Sequence, residues 1–361
     1  MKKKILFFTT TLKKGGAEKQ LIQFIDGINN LEKFEIRVIS LFGGDYEKDL
    51  KSFGISYKVF SKSSFNNLFK FILMFRKEVK SFKPNIVHSF LFSSNIVSKL
   101  SLFFMKKSFK LICSYRGILQ NYNSIKYLEI LNNKKVDLFI SNSNIANESL
   151  DFFNGIEESK KIVIENGFLE KKLDVKKVNY LKQKYKNKKI VLTVGAFRFE
   201  KNYKTNLLVC KEILEKKEDV LFLYVGEDGP EKRMVEDFKK NNALSNLNIL
   251  GRRADVLELM SISDVLFLPT LFESQPNVIL EAMYYNLPIV SSKVEGILNL
   301  KSKSILCEPN DVECMSKSIL SIIENNFDKS SLKYNKDIII KNYSNDVMIK
   351  KYYKEYLKLV N

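Results

Sequence analysis

Short apolar runs, four to six residues long, recur through the chain and alternate with longer segments of helical periodicity. This alternation restricts the fold more than any other feature. Runs that are apolar throughout belong to strands buried on both faces, which requires a parallel sheet covered by helices above and below. In the first half they are Ile5 to Thr9, Ile36 to Leu41, Ile86 to Phe90, Leu111 to Ser114, Leu138 to Ser141 and Ile162 to Glu165. In the second half they are Ile190 to Val194, Val220 to Val225, Leu247 to Leu250, Val265 to Leu268, Pro288 to Ser291 and a short one near Ile305. A chain of 361 residues exceeds what one core organises, so the runs divide into two doubly wound α/β domains. The turn dipeptide Asn166-Gly167 precedes a lysine-rich stretch and sets the boundary. We expect domains over 1–168 and 169–344, with a terminal helix over 345–361 that packs back on the first. A ligand is expected between the domains, outside the carboxyl ends of both sheets.

Charge is spread unevenly. The formal net charge is +19. Residues 1–180 carry 31 Lys and Arg against 17 Asp and Glu, whereas 181–361 carry 29 against 24. Such a basic first half attracts polyanions, among them nucleic acid, anionic lipid headgroups and phosphorylated small molecules, unless it reflects only a compositional bias toward lysine. Cys113, Cys210, Cys307 and Cys314 show no CxxC spacing, so neither a zinc site nor a disulfide framework is expected, and a reducing cytoplasm is the simplest compartment. Lys2-Lys3-Lys4 followed by Ile5-Leu6-Phe7-Phe8 reads as a first strand rather than a signal peptide, because no small-residue cleavage site follows. No apolar run reaches a bilayer-spanning length.

Two motifs follow strands directly. Lys14-Gly15-Gly16-Ala17-Glu18 lies between the first strand and a helix, where glycines let the backbone approach a ligand and the helix start favours an anion. The same glycines also serve simply to turn the chain. Phe272-Glu273-Ser274-Gln275-Pro276-Asn277-Val278-Ile279-Leu280-Glu281 follows the strand Val265 to Leu268, and Pro276 suits the first turn of a helix. The amides of Asn277 and Val278 are placed to receive a diphosphate. Glu281 and Glu273 then lie on either side of it, Glu281 for a ribose diol and Glu273 for a sugar.

At these residues the sequence resembles the family 4 glycosyltransferases, whose shared pattern is an acid, seven residues and a second acid at the start of a second-domain helix. Here that is Glu273 to Glu281. The resemblance also covers Gly15-Gly16-Ala17-Glu18, Pro84-Asn85-Ile86-Val87-His88-Ser89, Glu165-Asn166-Gly167 and Leu192-Thr193-Val194-Gly195. It continues through Val225-Gly226-Glu227-Asp228-Gly229-Pro230, Leu250-Gly251-Arg252 and Leu287-Pro288-Ile289-Val290. It implies a GT-B architecture, two Rossmann-like doubly wound domains facing across a cleft, with the acceptor held by the first and the nucleotide-sugar by the second. It also implies retention of the donor's anomeric configuration. The donor set it implies is Gly15, Gly16, Arg198, Lys201, Gly226, Arg252, Glu273, Pro276, Asn277, Val278 and Glu281, with UDP as the expected nucleotide. Arg198 and Lys201 would neutralise the leaving diphosphate.

Two departures from the family's pattern stand out. Ala196 follows Gly195 where the family often has arginine, and Phe90 stands where many members have histidine. His88 is the only histidine. It reads either as a buried, hydrogen-bonded strand residue or as a catalytic group at the sugar. Arg116 is an acceptor-side candidate that supplies positive charge. With one histidine and no Asp-x-Asp, we expect no metal and no other cofactor, the nucleotide-sugar being a substrate.

For the acceptor, Phe65, Leu68, Phe69, Ile72, Leu73 and Phe75 interleave with Lys70, Arg76, Lys77, Lys80 and Lys83. Leu100, Leu102, Phe103, Phe104 and Met105 are followed by Lys106, Lys107 and Lys110. These segments suit an anionic membrane interface, or two helices whose apolar faces cover the sheet. The expected protein is cytoplasmic or peripheral on the inner membrane's cytoplasmic face, and moves a sugar to a lipid-linked saccharide acceptor in surface polysaccharide assembly. No nucleic-acid partner is expected. A nucleotide-sugar 2-epimerase or sugar phosphorylase of the same architecture, and a polyanion-binding protein without catalysis, are the alternatives.

Overall fold

The computed structural model describes residues 2–61, 68–118, 126–153 and 155–360. Phe65 of the acceptor reading lies outside them. The chain forms two compact units, Met1–Leu169 with Tyr343–Asn361, and Glu170–Asn342.

Among the described residues the first unit holds a seven-stranded sheet: β1 Lys3–Thr11, β2 Phe34–Phe42, β3 Ser56–Ser61, β4 Ile86–Phe90, β5 Lys110–Tyr115, β6 Leu138–Ser141 and β7 Lys161–Val163. Their order is β3-β2-β1-β4-β5-β6-β7, with every pairing parallel. The second unit holds β8 Lys189–Val194, β9 Val220–Val225, β10 Leu247–Gly251, β11 Val265–Leu268, β12 Ile289–Ser292 and β13 Ile305–Cys307, ordered β10-β9-β8-β11-β12-β13 and again all parallel. The edge strand β3 has no counterpart among the apolar runs of the sequence. Its burial alternates, with only Phe60 fully inside, so the continuous apolar run that marks the other strands is missing at this edge.

Each sheet reverses direction once, between β1 and β4 in the first unit and between β8 and β11 in the second. Loops leaving the carboxyl ends of neighbouring strands diverge at such a point and leave a crevice for a ligand. The core lies on both sheet faces. In the first unit Leu6, Phe8, Phe75, Val87 and Phe139 fill one side, and Phe7, Phe24, Val38, Ile112 and Tyr352 the other.

The terminal helix Asn345–Val360 belongs to the first unit, where Met348, Ile349, Tyr352 and Tyr356 are buried beside the helix Gly16–Asn30. Each such side chain contributes about 1.5–3 kcal/mol. A Cβ at Gly27 would stand 2.0 Å from Ile349 Cδ1, so glycine sets how closely these helices cross. The connection is fastened locally. Gln20 donates from Nε2 to the Gly167 carbonyl and accepts from the Gly167 amide, both at 2.9 Å.

One cysteine expectation is corrected. Cys307, ending β13, and Cys314, in the first turn of the helix Val312–Ile323, form a disulfide with Cα atoms 5.9 Å apart. The turn between them folds them together without any CxxC signature, and a bonded pair removes cysteine usage as an argument for a reducing compartment. Cys113 and Cys210 are buried thiols. No described helix is long and apolar enough to cross a membrane.

Candidate active site

In the second unit the loops after β8 and β11 flank the point where strand order reverses. Past β8 the chain makes a short 3-10 turn, Phe199–Lys201, and Asn202 takes a left-handed conformation, φ 52°, to start the helix Tyr203–Leu214. Past β11 comes Pro269-Thr270-Leu271-Phe272-Glu273, then the helix Asn277–Tyr284 with Pro276 as its extended cap, φ −74° and ψ 118°. Proline therefore sits one residue outside the expected first turn.

These two loops are tied together. Lys201 Nζ donates to Glu273 Oε1, the two side chains 17% and 13% exposed. Leu271 donates its amide to the Glu200 carbonyl at 2.9 Å, and the Thr270 hydroxyl donates to the same carbonyl at 2.6 Å while lying 3.4 Å from Glu273 Oε1. The alkyl stem of Lys201 crosses Gly195, where a Cβ would stand 3.2 Å from Cδ and Cε. Gly226 in turn packs on Gly195, with 1.8 Å between its would-be Cβ and the Gly195 carbonyl oxygen.

Glu281 is buried one turn into the helix, and the Ile279 amide donates to the Pro276 carbonyl at 3.1 Å. The amides of Asn277 and Val278 stand ahead of it at the positive end of the helix. Arg198 is exposed and makes no ion pair among the described residues; its Cγ lies 3.5 Å from where a Cβ on Gly229 would be. Arg252 is also exposed. Its neighbour Arg253 holds Asp255 in a two-pronged pair at 2.8 and 2.7 Å, and this contact brings the Asp255 carboxyl down to about 2. The structure thus joins Lys201 to Glu273, sets Gly226 behind them, and leaves Arg198 outside that pair.

Gly296 escaped the sequence reading. It lies in the short helix Glu295–Leu298 after β12, and a Cβ there would stand 2.1 Å from the Glu273 carbonyl oxygen and 2.4 Å from that of Ser274. The available signal was a glycine just past a strand end, the same signal that drew attention to Gly15.

The first unit fixes the surroundings of two residues singled out in the sequence. His88 is wholly buried in β4, its Nδ1 2.5 Å from Tyr356 Oη and its Nε2 2.7 Å from Ser114 Oγ. Phe90 lies against it, ring centroids 4.1 Å apart. Burial, then the nearby Arg116 charge, lowers the imidazole well below its ordinary pKa. Both ring nitrogens are occupied inside the core, as the reading of a buried, hydrogen-bonded strand residue expects. At Gly15 a Cβ would stand 2.3 Å from Glu18 Oε2, so this glycine makes room for the folded-back carboxylate of its own helix. Gly16 begins that helix.

Arg116 donates from Nη1 to Asn166 Oδ1 at 3.0 Å and from Nη2 to Tyr352 Oη, with its guanidinium carbon 5.5 Å from the Phe90 ring centroid. It braces the terminal helix. Beyond β4, Leu91 adopts φ 72° and ψ 161°, a region essentially reserved for glycine, at the point where this sheet reverses.

Two doubly wound units with an acid-bearing helix start at the second switch point define a GT-B glycosyltransferase. Residues 179–344 match the family profile described as Glycosyl transferases group 1, and residues 14–168 match that of Glycosyltransferase Family 4. The chain belongs to the family 4 glycosyltransferases and is a transferase enzyme. It is 25% identical over 305 residues to the Staphylococcus aureus capsular polysaccharide biosynthesis glycosyltransferase CapH, covering 81% of this chain and 82% of that one. It is 29% identical over 185 residues to the Escherichia coli UDP-Gal:alpha-D-GlcNAc-diphosphoundecaprenol alpha-1,3-galactosyltransferase, covering 47% of each. Anabaena HepE, crystallised with UDP and glucose, superposes with a TM-score of 0.84 at 20% identity, over 98% of both chains. This likeness to a solved structure supports the fold alone.

Proposed function

We propose that this glycosyltransferase takes a hexose or N-acetylhexosamine from a UDP-sugar, retains its anomeric configuration and adds it to a lipid-linked or oligosaccharide acceptor in surface polysaccharide assembly. The Lys201–Glu273 pair carries this reading, because it places a cation and an acid together at the switch point just ahead of a helix start. Donor binding exchanges their partners. Sugar hydroxyls donate to Glu273, diphosphate oxygens accept from Lys201 and from the Asn277 and Val278 amides, and ribose hydroxyls donate to Glu281. Negative charge grows on the diphosphate as the glycosidic bond breaks, and Lys201 and Arg198 stabilise it without a divalent ion. The acceptor class is supported by the relatives, one acting in capsular polysaccharide biosynthesis and one on a diphosphoundecaprenol-linked sugar.

The test is a thermal-shift screen of nucleotide-sugars followed by mass spectrometry with lipid-linked acceptors, with and without EDTA. A UDP-sugar should stabilise the protein, and transfer should persist in EDTA. Epimerised sugar formed from donor alone would replace this reading with the epimerase one. Restoration of EDTA-lost activity by magnesium or manganese would remove the metal-independent step.

A further inference from the structure

The helix Leu68–Phe82 divides its apolar residues between two faces. Phe71, Ile72, Phe75, Val79 and Phe82 enter the core on one side of the first sheet. Phe69 and Leu73 do not; they are 58% and 44% exposed. The chain that leaves the helix Phe92–Ser101 divides the same way, with Leu100 and Leu102 inside and Phe103 and Phe104 55% and 48% exposed. The two exposed sets meet. Phe69 and Phe104 stand edge to face with ring centroids 6.3 Å apart, the Arg76 guanidinium carbon lies 6.0 Å from the Phe104 ring centroid, and Lys135 Nζ lies 5.6 Å from that of Phe103.

This patch continues into an open hollow of about 710 Å³ lined by Leu73 and Met105 together with Arg76, Lys77, Lys80, Lys83 and Lys106. No acid lines it, and among the described residues none of these five cations forms an ion pair. Glu78 on the same helix turns away to Arg37 and Lys58. The arrangement is large apolar side chains at the edge of an uncompensated basic basin. Exposed aromatic and aliphatic groups enter the boundary between headgroups and acyl chains, while surrounding lysines and arginines meet the lipid phosphates. A nucleic-acid groove would share the cations and aromatics, but Leu73 and Met105 cannot stack on bases.

We propose that this face of the first unit docks on an anionic phospholipid bilayer, with Phe69, Leu73, Phe103 and Phe104 entering the interface and the cations of the hollow contacting headgroup phosphates. The surface alone carries this inference, and it stands apart from the acceptor assignment. Vesicle binding without transfer to a lipid-linked acceptor would remove the acceptor only, and transfer without vesicle binding would remove the docking only.

The experiment is flotation of the full chain with vesicles of phosphatidylglycerol and phosphatidylcholine, against vesicles of phosphatidylcholine alone. Partition onto the anionic vesicles should be at least about tenfold stronger, and Lys77→Gln with Lys80→Gln should weaken it roughly fivefold for each cation removed. Phe103→Ser with Phe104→Ser should weaken it about tenfold or more while the thermal midpoint and donor binding stay unchanged, because both positions are exposed. The same charge change at Lys176→Gln with Lys182→Gln, on exposed residues of the second unit, should leave partition unaltered. Equal binding to both vesicle types, no binding to either, or wild-type binding by the patch variants overturns the proposal. Displacement from vesicles by a short nucleic acid at low concentration assigns the patch to nucleic acid instead.

Discussion

Lys201 and Glu273, 72 residues apart, form an ion pair between the loops that leave β8 and β11. The cation of one loop neutralises the acid of the other, so the two loops are held together by their own groups. Lys201 is fixed along its stem by Gly195, and Glu273 at its backbone by Gly296.

Lys201→Met leaves Glu273 without its partner and the leaving diphosphate without a cation, and should lower kcat by roughly 10²- to 10³-fold. Glu273→Gln keeps the volume and loses the charge, and should lower kcat more than it changes donor affinity. Steady-state kinetics separate these effects, and wild-type turnover in both variants would falsify the site.

Glu281→Ala removes an acid buried one turn into the helix Asn277–Tyr284. Losing hydrogen bonds to a charged group costs about 1.5–3 kcal/mol, so the donor dissociation constant measured by calorimetry should rise about tenfold to a hundredfold. An unchanged constant would move the ribose contact elsewhere.

Gly296→Ala places a methyl 2.1 Å from the Glu273 carbonyl oxygen, so the acid-bearing loop has to move. Stability should fall by about 1–3 kcal/mol, while kcat/KM falls much further because the displaced loop carries Glu273. Urea denaturation and kinetics on the same preparation test this; an active variant would mean that the loop adapts without moving the acid.

His88 is neutral in the folded protein near neutral pH, since burial lowers its pKa well below the ordinary value. The unfolded chain takes up the proton at about pH 6.5 and the folded chain does not, so this contribution is complete above that value and is lost as pH falls. Stability should drop between pH 7.5 and 5.5, by on the order of 1 kcal/mol. His88 is the only imidazole, so His88→Gln should flatten that slope. A slope that survives the substitution points to another group, and loss of kcat in folded protein would return His88 to the chemistry.

The Cys307–Cys314 bond should leave two reactive thiols in unfolded, unreduced protein, those of Cys113 and Cys210, and four after reduction. Closing so short a loop contributes about 2–3 kcal/mol in the chain-entropy description, so reduction should lower the urea midpoint. Four thiols before reduction would show the bond to be open.

Much was decided locally. Continuous apolar runs such as Val220 to Val225 and Val265 to Leu268 marked strands because both sheet faces are covered. Pro276 marked a helix start because a proline costs no hydrogen bond in a helix's first turn, and it stands one residue ahead of that turn. The acids Glu273 and Glu281 were legible for the same reason, through their spacing around that start. What one strand or turn needs is written in adjacent residues.

Tertiary structure decided the rest. Phe69 and Phe71 are equally apolar, and only packing against the sheet put one in solvent and the other in the core. His88 is enclosed because Ser114 and Tyr356, 26 and 268 residues away, close on its two nitrogens. Gly296 matters through a carbonyl 23 residues earlier in the chain, and Lys201 through a carboxylate that the crossover between β8 and β11 brings beside it. Periodicity records what a residue's own element requires. Which distant groups face one another depends on strand order and close packing, and these exist only once the chain has folded.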